Sequence, residues 1–146
     1  MRIYLDNCCY NRLFDEKSQE RVQAESDAIK NILIRSKELD NIVIGSEILI
    51  SEIDRIKDTG KKLSVISLYT QVVTEMININ AEIFEYAKNL MEQANIKQMD
   101  ALHLSCALIS NADVFLTVDD KLIKACKSLN LKMQVINPVI LEGDSL

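Results

Sequence analysis

The sequence predicts an α/β fold: a three-layer α/β/α sandwich around a central parallel sheet of about five strands. Three observations lead there. Five short runs rich in β-branched residues recur along the chain. Several of these runs are apolar without alternation, as strands covered on both faces should be. Each gap between them exceeds the ~10–12 residues that a parallel crossover requires.

Taken in order, the strands are expected at residues 2–5, 41–44, 71–74, 114–117 and 132–136. Their cores are Ile3-Tyr4-Leu5, Ile42-Val43-Ile44, Val72-Val73, Val114-Phe115-Leu116 and Val135-Ile136. The intervening segments have helical period. Val22, Ile29, Ile32 and Leu33 form one apolar stripe, and Ile48, Leu49, Ile53 and Ile56 a second. Ile83, Phe84, Ala87, Leu90, Met91 and Ala94 form a third. The segment beginning at Asp100 is apolar nearly all round, so it reads as a buried helix. Three glycines and one proline leave few breaks, and long helices are expected. No linker, repeat or low-complexity tract interrupts the sequence, so residues 1–146 read as one domain of ordinary size.

Composition narrows the class. Apolar residues at 48% and charged residues at 27% are typical of a soluble globular protein. No run approaches the ~18 apolar residues of a membrane span. Asp6 is an acid too early for a secretory signal, so a cytoplasmic location is expected. Cys8, Cys9, Cys106 and Cys126 form no C-x-x-C pair and read as small, reduced, buried hydrophobes. A net charge of −5 argues against a general nucleic-acid binder. It leaves room for a nucleic-acid enzyme, because clustered carboxylates are neutralised locally by bound metal.

Four carboxylates stand where chemistry is expected, since ligands of open parallel sheets sit beyond the carboxyl ends of the strands. Asp6 directly follows the first strand, and Asp119 follows the fourth. Either could instead cap a helix; Asp120 could take the second cap and leave Asp119 free, so Asp119 is preferred to Asp120 as a ligand. Glu52 falls within the apolar arc of its helix, where a carboxylate is costly without a salt bridge to a core arginine or lysine, or a metal. Asp100 suits the first turn of its buried helix, and from there it could also point into a cleft. His103, one turn on, reads as a hydrogen-bonded core residue. A donor set of carboxylates alone suits a hard cation such as Mg²⁺ or Mn²⁺, and hence metal-assisted phosphodiester hydrolysis.

Ile3-Tyr4-Leu5-Asp6-Asn7, Ser51-Glu52-Ile53, Asp100-Ala101-Leu102-His103-Leu104 and Leu116-Thr117-Val118-Asp119 together resemble the PIN domain family, in order and spacing, across essentially the whole chain. The resemblance implies a Mg²⁺- or Mn²⁺-dependent ribonuclease leaving 5′-phosphate and 3′-hydroxyl ends. It implies Asp6, Glu52, Asp100 and Asp119 as the acidic ligands, and Thr117 as the hydroxyl before the last acid. Many such proteins are the toxin of a toxin–antitoxin pair, and many form homodimers, so RNA, an antitoxin protein and a second copy are the implied partners. Toxin-like members often place a small hydroxyl residue after the first aspartate; here Asn7 stands as the auxiliary position. Arg12 and Lys121 are the cations nearest these acids in sequence and the candidates for RNA phosphate contact. Two rivals remain. One is a binding module of the same shape without catalysis, which the complete acid set disfavours. The other is a phosphotransfer domain: a haloacid phosphatase would need an aspartate where Cys8 stands, and a receiver needs a phospho-acceptor where Thr74-Glu75-Met76 follows the third strand.

Overall fold

The computed structural model describes residues 1–143. Its elements run β1 (Arg2–Leu5), α1 (Asn7–Arg12), α2 (Glu20–Glu38), β2 (Ile42–Ser46), α3 (Glu47–Asp54), α4 (Thr59–Val72) and β3 (Glu75–Ile77). They continue with α5 (Ala81–Gln93), α6 (Gln98–Ile109), β4 (Val114–Leu116), α7 (Asp120–Cys126), β5 (Gln134–Ile136) and α8 (Pro138–Gly143). The strands form one sheet in the order β3-β2-β1-β4-β5. Every neighbouring pair is parallel, with Tyr4 opposite Ile44 on one side and Phe115 on the other. Helices flank both faces, giving the expected three-layer sandwich.

The central strands explain their own burial. Successive side chains of a strand point to opposite faces, yet Ile3, Tyr4 and Leu5 are all fully buried, as are Phe115 and Leu116. Both faces are therefore covered, and the lack of polar alternation in these runs follows. From β1 the chain builds outward through β2 to β3, then returns to the other side of β1 with β4. The strand order reverses between β1 and β4, so the carboxyl ends of these two strands frame the crevice where such sheets bind ligands.

The third strand lies later than expected. Residues 71–72 complete α4, which Asp58 starts by accepting from the Lys61 N–H at 3.0 Å. Val72 packs against the core as the last helical residue, so its β-branched pairing with Val73 misleads. Extended pairing begins at Thr74, whose N–H donates to the Val43 carbonyl at 2.9 Å. The strand proper, Glu75–Ile77, is a short edge with Glu75 and Met76 exposed. Alongside the long helices α2, α4, α5 and α6 are four short ones of six to eight residues. All four follow strands, and three of them, α1, α3 and α7, carry Asp6, Glu52 and Asp119. On α5 the expected stripe is narrower, with Ile83, Ala87 and Leu90 buried while Phe84 and Met91 are exposed. All four cysteines are free thiols, three of them buried. No helix among the described residues is long and apolar enough to cross a membrane.

Candidate functional site

Asp6 leaves the carboxyl end of β1 in extended backbone and becomes the N-cap of α1. Its N–H still donates to the Leu116 carbonyl at 2.9 Å, so the β1–β4 pairing fixes its position. The side chain is buried, and both its oxygens accept hydrogen bonds. Oδ1 accepts from the Asn7 N–H at 2.8 Å, while Oδ2 accepts from the Thr117 hydroxyl at 2.9 Å and the Cys8 thiol at 3.4 Å. Burial pushes the Asp6 carboxyl up from its ordinary range; His103, Thr117 and Cys8 oppose that rise, and Glu52 adds to it.

Thr117 joins two of the acids. Besides donating to Asp6, its Oγ1 accepts from the Asp119 N–H at 3.1 Å. Asp119 is the N-cap of α7, with Oδ1 accepting from the N–H groups of Lys121 at 3.0 Å and Leu122 at 3.2 Å. Oδ2 has no partner among the described residues. The cap therefore belongs to Asp119, and capping leaves it one oxygen. Asp120 is exposed and tied to Arg21 at 2.7 Å, which holds its carboxyl below the usual range.

Asp100 sits in the first turn of α6, half-buried, with no hydrogen-bond or ion-pair partner among the described residues. Burial pushes its carboxyl up to about 6, and the charges of Asp6 and Asp119 add to the rise. Glu52, on α3, is at the rim of the core rather than within it. Its side chain is 26% exposed, and its compensating partner is His103 Nε2 instead of an arginine or lysine. Glu47, one turn earlier, is exposed and accepts from the Ile79 N–H at 3.0 Å.

Asp6, Glu52, Asp100 and Asp119 line one cleft of about 310 Å³, together with Asn7, Cys8, Asn11, Arg12, Asp15 and Val118. Donor atoms of Asp6, Glu52 and His103 lie within 4.8 Å of one another. Asn7 Oδ1 is buried here without a hydrogen-bond partner. Four carboxylates in one cleft, one of them destabilised by burial and by its neighbours' charges, and an orphaned amide oxygen fit a hard divalent cation.

Asp120 and the Lys121 side chain are not among the residues lining this cleft. Arg12 lines it, but its guanidinium is held by Asp15 at 3.1 Å and by the buried Glu25 at 3.2 Å. Lys61 is similarly held by Asp15 at 2.8 Å. Sequence reasoning overlooked what His103 and Cys8 touch. For His103 the signal was present: it lies three residues after Asp100 on α6, hence on the same face, and Glu52 needed a partner. For Cys8, two residues past Asp6, no sequence signal separated a cleft thiol from a buried one.

Solved structures of similar fold include VapBC2 from Rickettsia felis bound to a DNA fragment from its promoter. That chain is 18% identical with a TM-score of 0.62, over 94% of this chain and 98% of that one. VapBC-1 from nontypeable Haemophilus influenzae is 17% identical with a TM-score of 0.62, over 94% and 98%. VapC20 from Mycobacterium tuberculosis, a sarcin-ricin loop cleaving toxin, is 12% identical with a TM-score of 0.63, over 90% and 98%. No curated protein matches the sequence. The family model of the PIN domain matches residues 3–128, which include all four carboxylates of the cleft, and the chain belongs to the PIN domain family.

Proposed function

We propose that the chain is an endoribonuclease that uses Mg²⁺ or Mn²⁺ to hydrolyse RNA phosphodiester bonds, with Asp6, Glu52, Asp100 and Asp119 as its acidic residues. One observation carries the reading: Asp100 is half-buried in one cleft with the carboxylates of Asp6, Asp119 and Glu52, and it has no hydrogen-bond or ion-pair partner among the described residues. Such repulsion is expected where a cation is to be bound, and it has no structural use otherwise.

A divalent cation held by these acids supplies an activated water and a clamp on phosphate oxygens. The chain's own residues prepare its place. Thr117 and the Asn7 N–H fix both oxygens of Asp6, and the α7 N-terminus fixes one oxygen of Asp119. Asn7 Oδ1, Asp119 Oδ2 and the Asp100 carboxylate remain to bind directly or through water. No side-chain nucleophile is required.

The sarcin-ricin loop cleavage of VapC20 supports RNA as substrate. The likeness to VapC20, a toxin, and to the VapBC structures supports a role as the toxin of a toxin–antitoxin pair. An antitoxin protein and a second copy of the chain are then the protein partners, and the cytoplasm is the compartment. Cleavage of structured and single-stranded RNA by purified chain tests the reading. Activity should need Mn²⁺ or Mg²⁺, stop with EDTA and be lost in Asp6→Asn and Asp100→Asn. Cleavage surviving both substitutions overturns it, and a chain that neither cleaves nor binds Mn²⁺ is a binding module.

A further inference from the structure

His103 is the chain's single histidine, 1% exposed in the middle of α6. It stands at the end of a side-chain chain that begins in the sheet. The Leu49 N–H donates to Ser46 Oγ at 3.1 Å, Ser46 Oγ lies 2.8 Å from Tyr4 Oη, and Tyr4 Oη lies 2.7 Å from His103 Nδ1. The opposite ring nitrogen, Nε2, contacts Glu52 Oε1 and lies 4.0 Å from Asp6 Oδ1. An ionised carboxylate only accepts hydrogen bonds, so Nε2 must carry the hydrogen. Nδ1 is then free to accept from the Tyr4 hydroxyl, which takes the Ser46 hydroxyl in turn. Stacking on Phe115, with centroids 5.3 Å apart, fixes the Tyr4 ring itself.

We infer that His103 is a positioning residue for the metal site: through Nε2–H it holds Glu52 in the cleft, and the Ser46–Tyr4 relay fixes its ring to do so. The inference rests on the cleft's reading as a metal-dependent nuclease and adds a residue outside the four acids. Glu52 needs such a hold. It lies on the eight-residue α3, whose last turn ends at Asp54, and it is the most exposed member of the group formed with Asp6 and His103. A long, mobile glutamate binds a cation less well than one held in place, because ordering it consumes part of the binding energy. The tyrosine and serine come from adjacent strands, β1 and β2, so the centre of the sheet orients an acid carried on a short helix. His103 itself is not a ligand in this arrangement, since Nε2 keeps its hydrogen.

Two measurements test this. The first needs no variant: ¹⁵N-labelled histidine in the full chain gives one ring system. Nε2 should be protonated both without metal and with saturating Mg²⁺. A bare Nε2 in either state overturns the proposal, and one that loses its hydrogen only with Mg²⁺ makes His103 a ligand instead. The second is Mn²⁺ binding followed by electron paramagnetic resonance. His103→Asn cannot reach Glu52, and its dissociation constant should rise about 10–100-fold. His103→Gln, whose amide reaches the Nε2 position, should recover most of the affinity. Tyr4→Phe, which leaves Nδ1 unanchored, should weaken binding about fivefold, one ordinary hydrogen bond. The Mn²⁺ concentration for half-maximal cleavage should move with these constants, while kcat at saturating Mn²⁺ changes much less. If His103→Asn and Tyr4→Phe fold and bind Mn²⁺ as the wild type does, the positioning role is wrong and the nuclease reading stands. If the wild type binds no Mn²⁺, both fall.

Discussion

Replacing Asp100 by asparagine should make the metal-free protein more stable. The folded carboxyl titrates at about 6 against an ordinary value of 3.8. At 1.36 kcal/mol per unit, ionised Asp100 then costs about 3 kcal/mol. Because the group is half-buried, water screens part of this, and about 1–2 kcal/mol is the working figure. The sign follows from proton binding. Between pH 4 and 6 the folded state holds a proton that the unfolded state has released, so wild-type stability falls as pH rises through that window and levels off above it. Asparagine has nearly the same shape and no charge, so the variant escapes this fall. For a chain of this size the gain is about 3–6 °C in Tm at pH 7.5 in EDTA, shrinking towards zero near pH 4. Saturating Mn²⁺ should reverse the order, because the wild type gains binding energy that the variant largely lacks. Circular-dichroism melts at a series of pH values, with EDTA and with Mn²⁺, measure all of this. A variant that melts at or below the wild type in EDTA at pH 7.5, or an offset independent of pH, would refute the reasoning.

Asp119→Asn should cost little stability, because asparagine caps helices as well as aspartate does, yet lower cleavage by about 100-fold or more; melting and RNA-cleavage rates separate the two effects. Asp120→Asn should leave cleavage within about twofold, since Asp120 pairs with Arg21 outside the cleft; a loss as large as that of Asp119→Asn would reassign the fourth acid. Gly45→Ala should destabilise by about 1–3 kcal/mol, because an added Cβ would meet Tyr69 Oη and lie 2.7 Å from Val73; a denaturant midpoint equal to the wild type would contradict the packing. RNA affinity should depend weakly on monovalent salt and strongly on Mn²⁺, because Arg12 and Lys61 are already paired with acids; fluorescence anisotropy with a noncleaving Asp6→Asn chain gives the salt slope, and a steep one would indicate a basic surface elsewhere.

Much of this architecture was legible because both-face burial leaves a strong mark on sequence. Ile3-Tyr4-Leu5 and Val114-Phe115-Leu116 have no polar position to spare, and both are strands where expected. The edge is a different matter. Glu75-Met76-Ile77 needs no continuous apolar run, because neighbours cover it on one side only, while Val72-Val73 at the end of α4 imitates a strand core. That the acids stand near strand ends was readable from position alone, since Asp6 and Asp119 follow β1 and β4 directly. What each touches was not. Asp119 rather than Asp120 caps α7, and the partner of Glu52 is a histidine 51 residues away in sequence. Both facts depend on how α3, α6 and α7 pack, which a single sequence leaves open.

The same packing explains how an acidic cleft is tolerated. Several of the surrounding charges are paired with one another, whereas Asp100 has no ion-pair partner among the described residues. Glu25, 1% exposed beneath α1, receives Arg12 and Arg21 at 3.2 Å each and the Asn137 amide at 2.5 Å. Arg21 in turn holds Asp120, and Asp15 takes both Arg12 and Lys61. Arg12, Arg21 and Lys61 are thereby committed away from Asp100. A neutral or basic residue turned inward would relieve the repulsion and stabilise the fold, but it would also take the place proposed for a metal ion. Asp100 is destabilised by burial and by the charges of Asp6 and Asp119 while Arg12 is bound elsewhere, and loosening that network, for instance by removing Glu25, should free Arg12 to swing toward the cleft and weaken Mn²⁺ binding without touching any of the four acids.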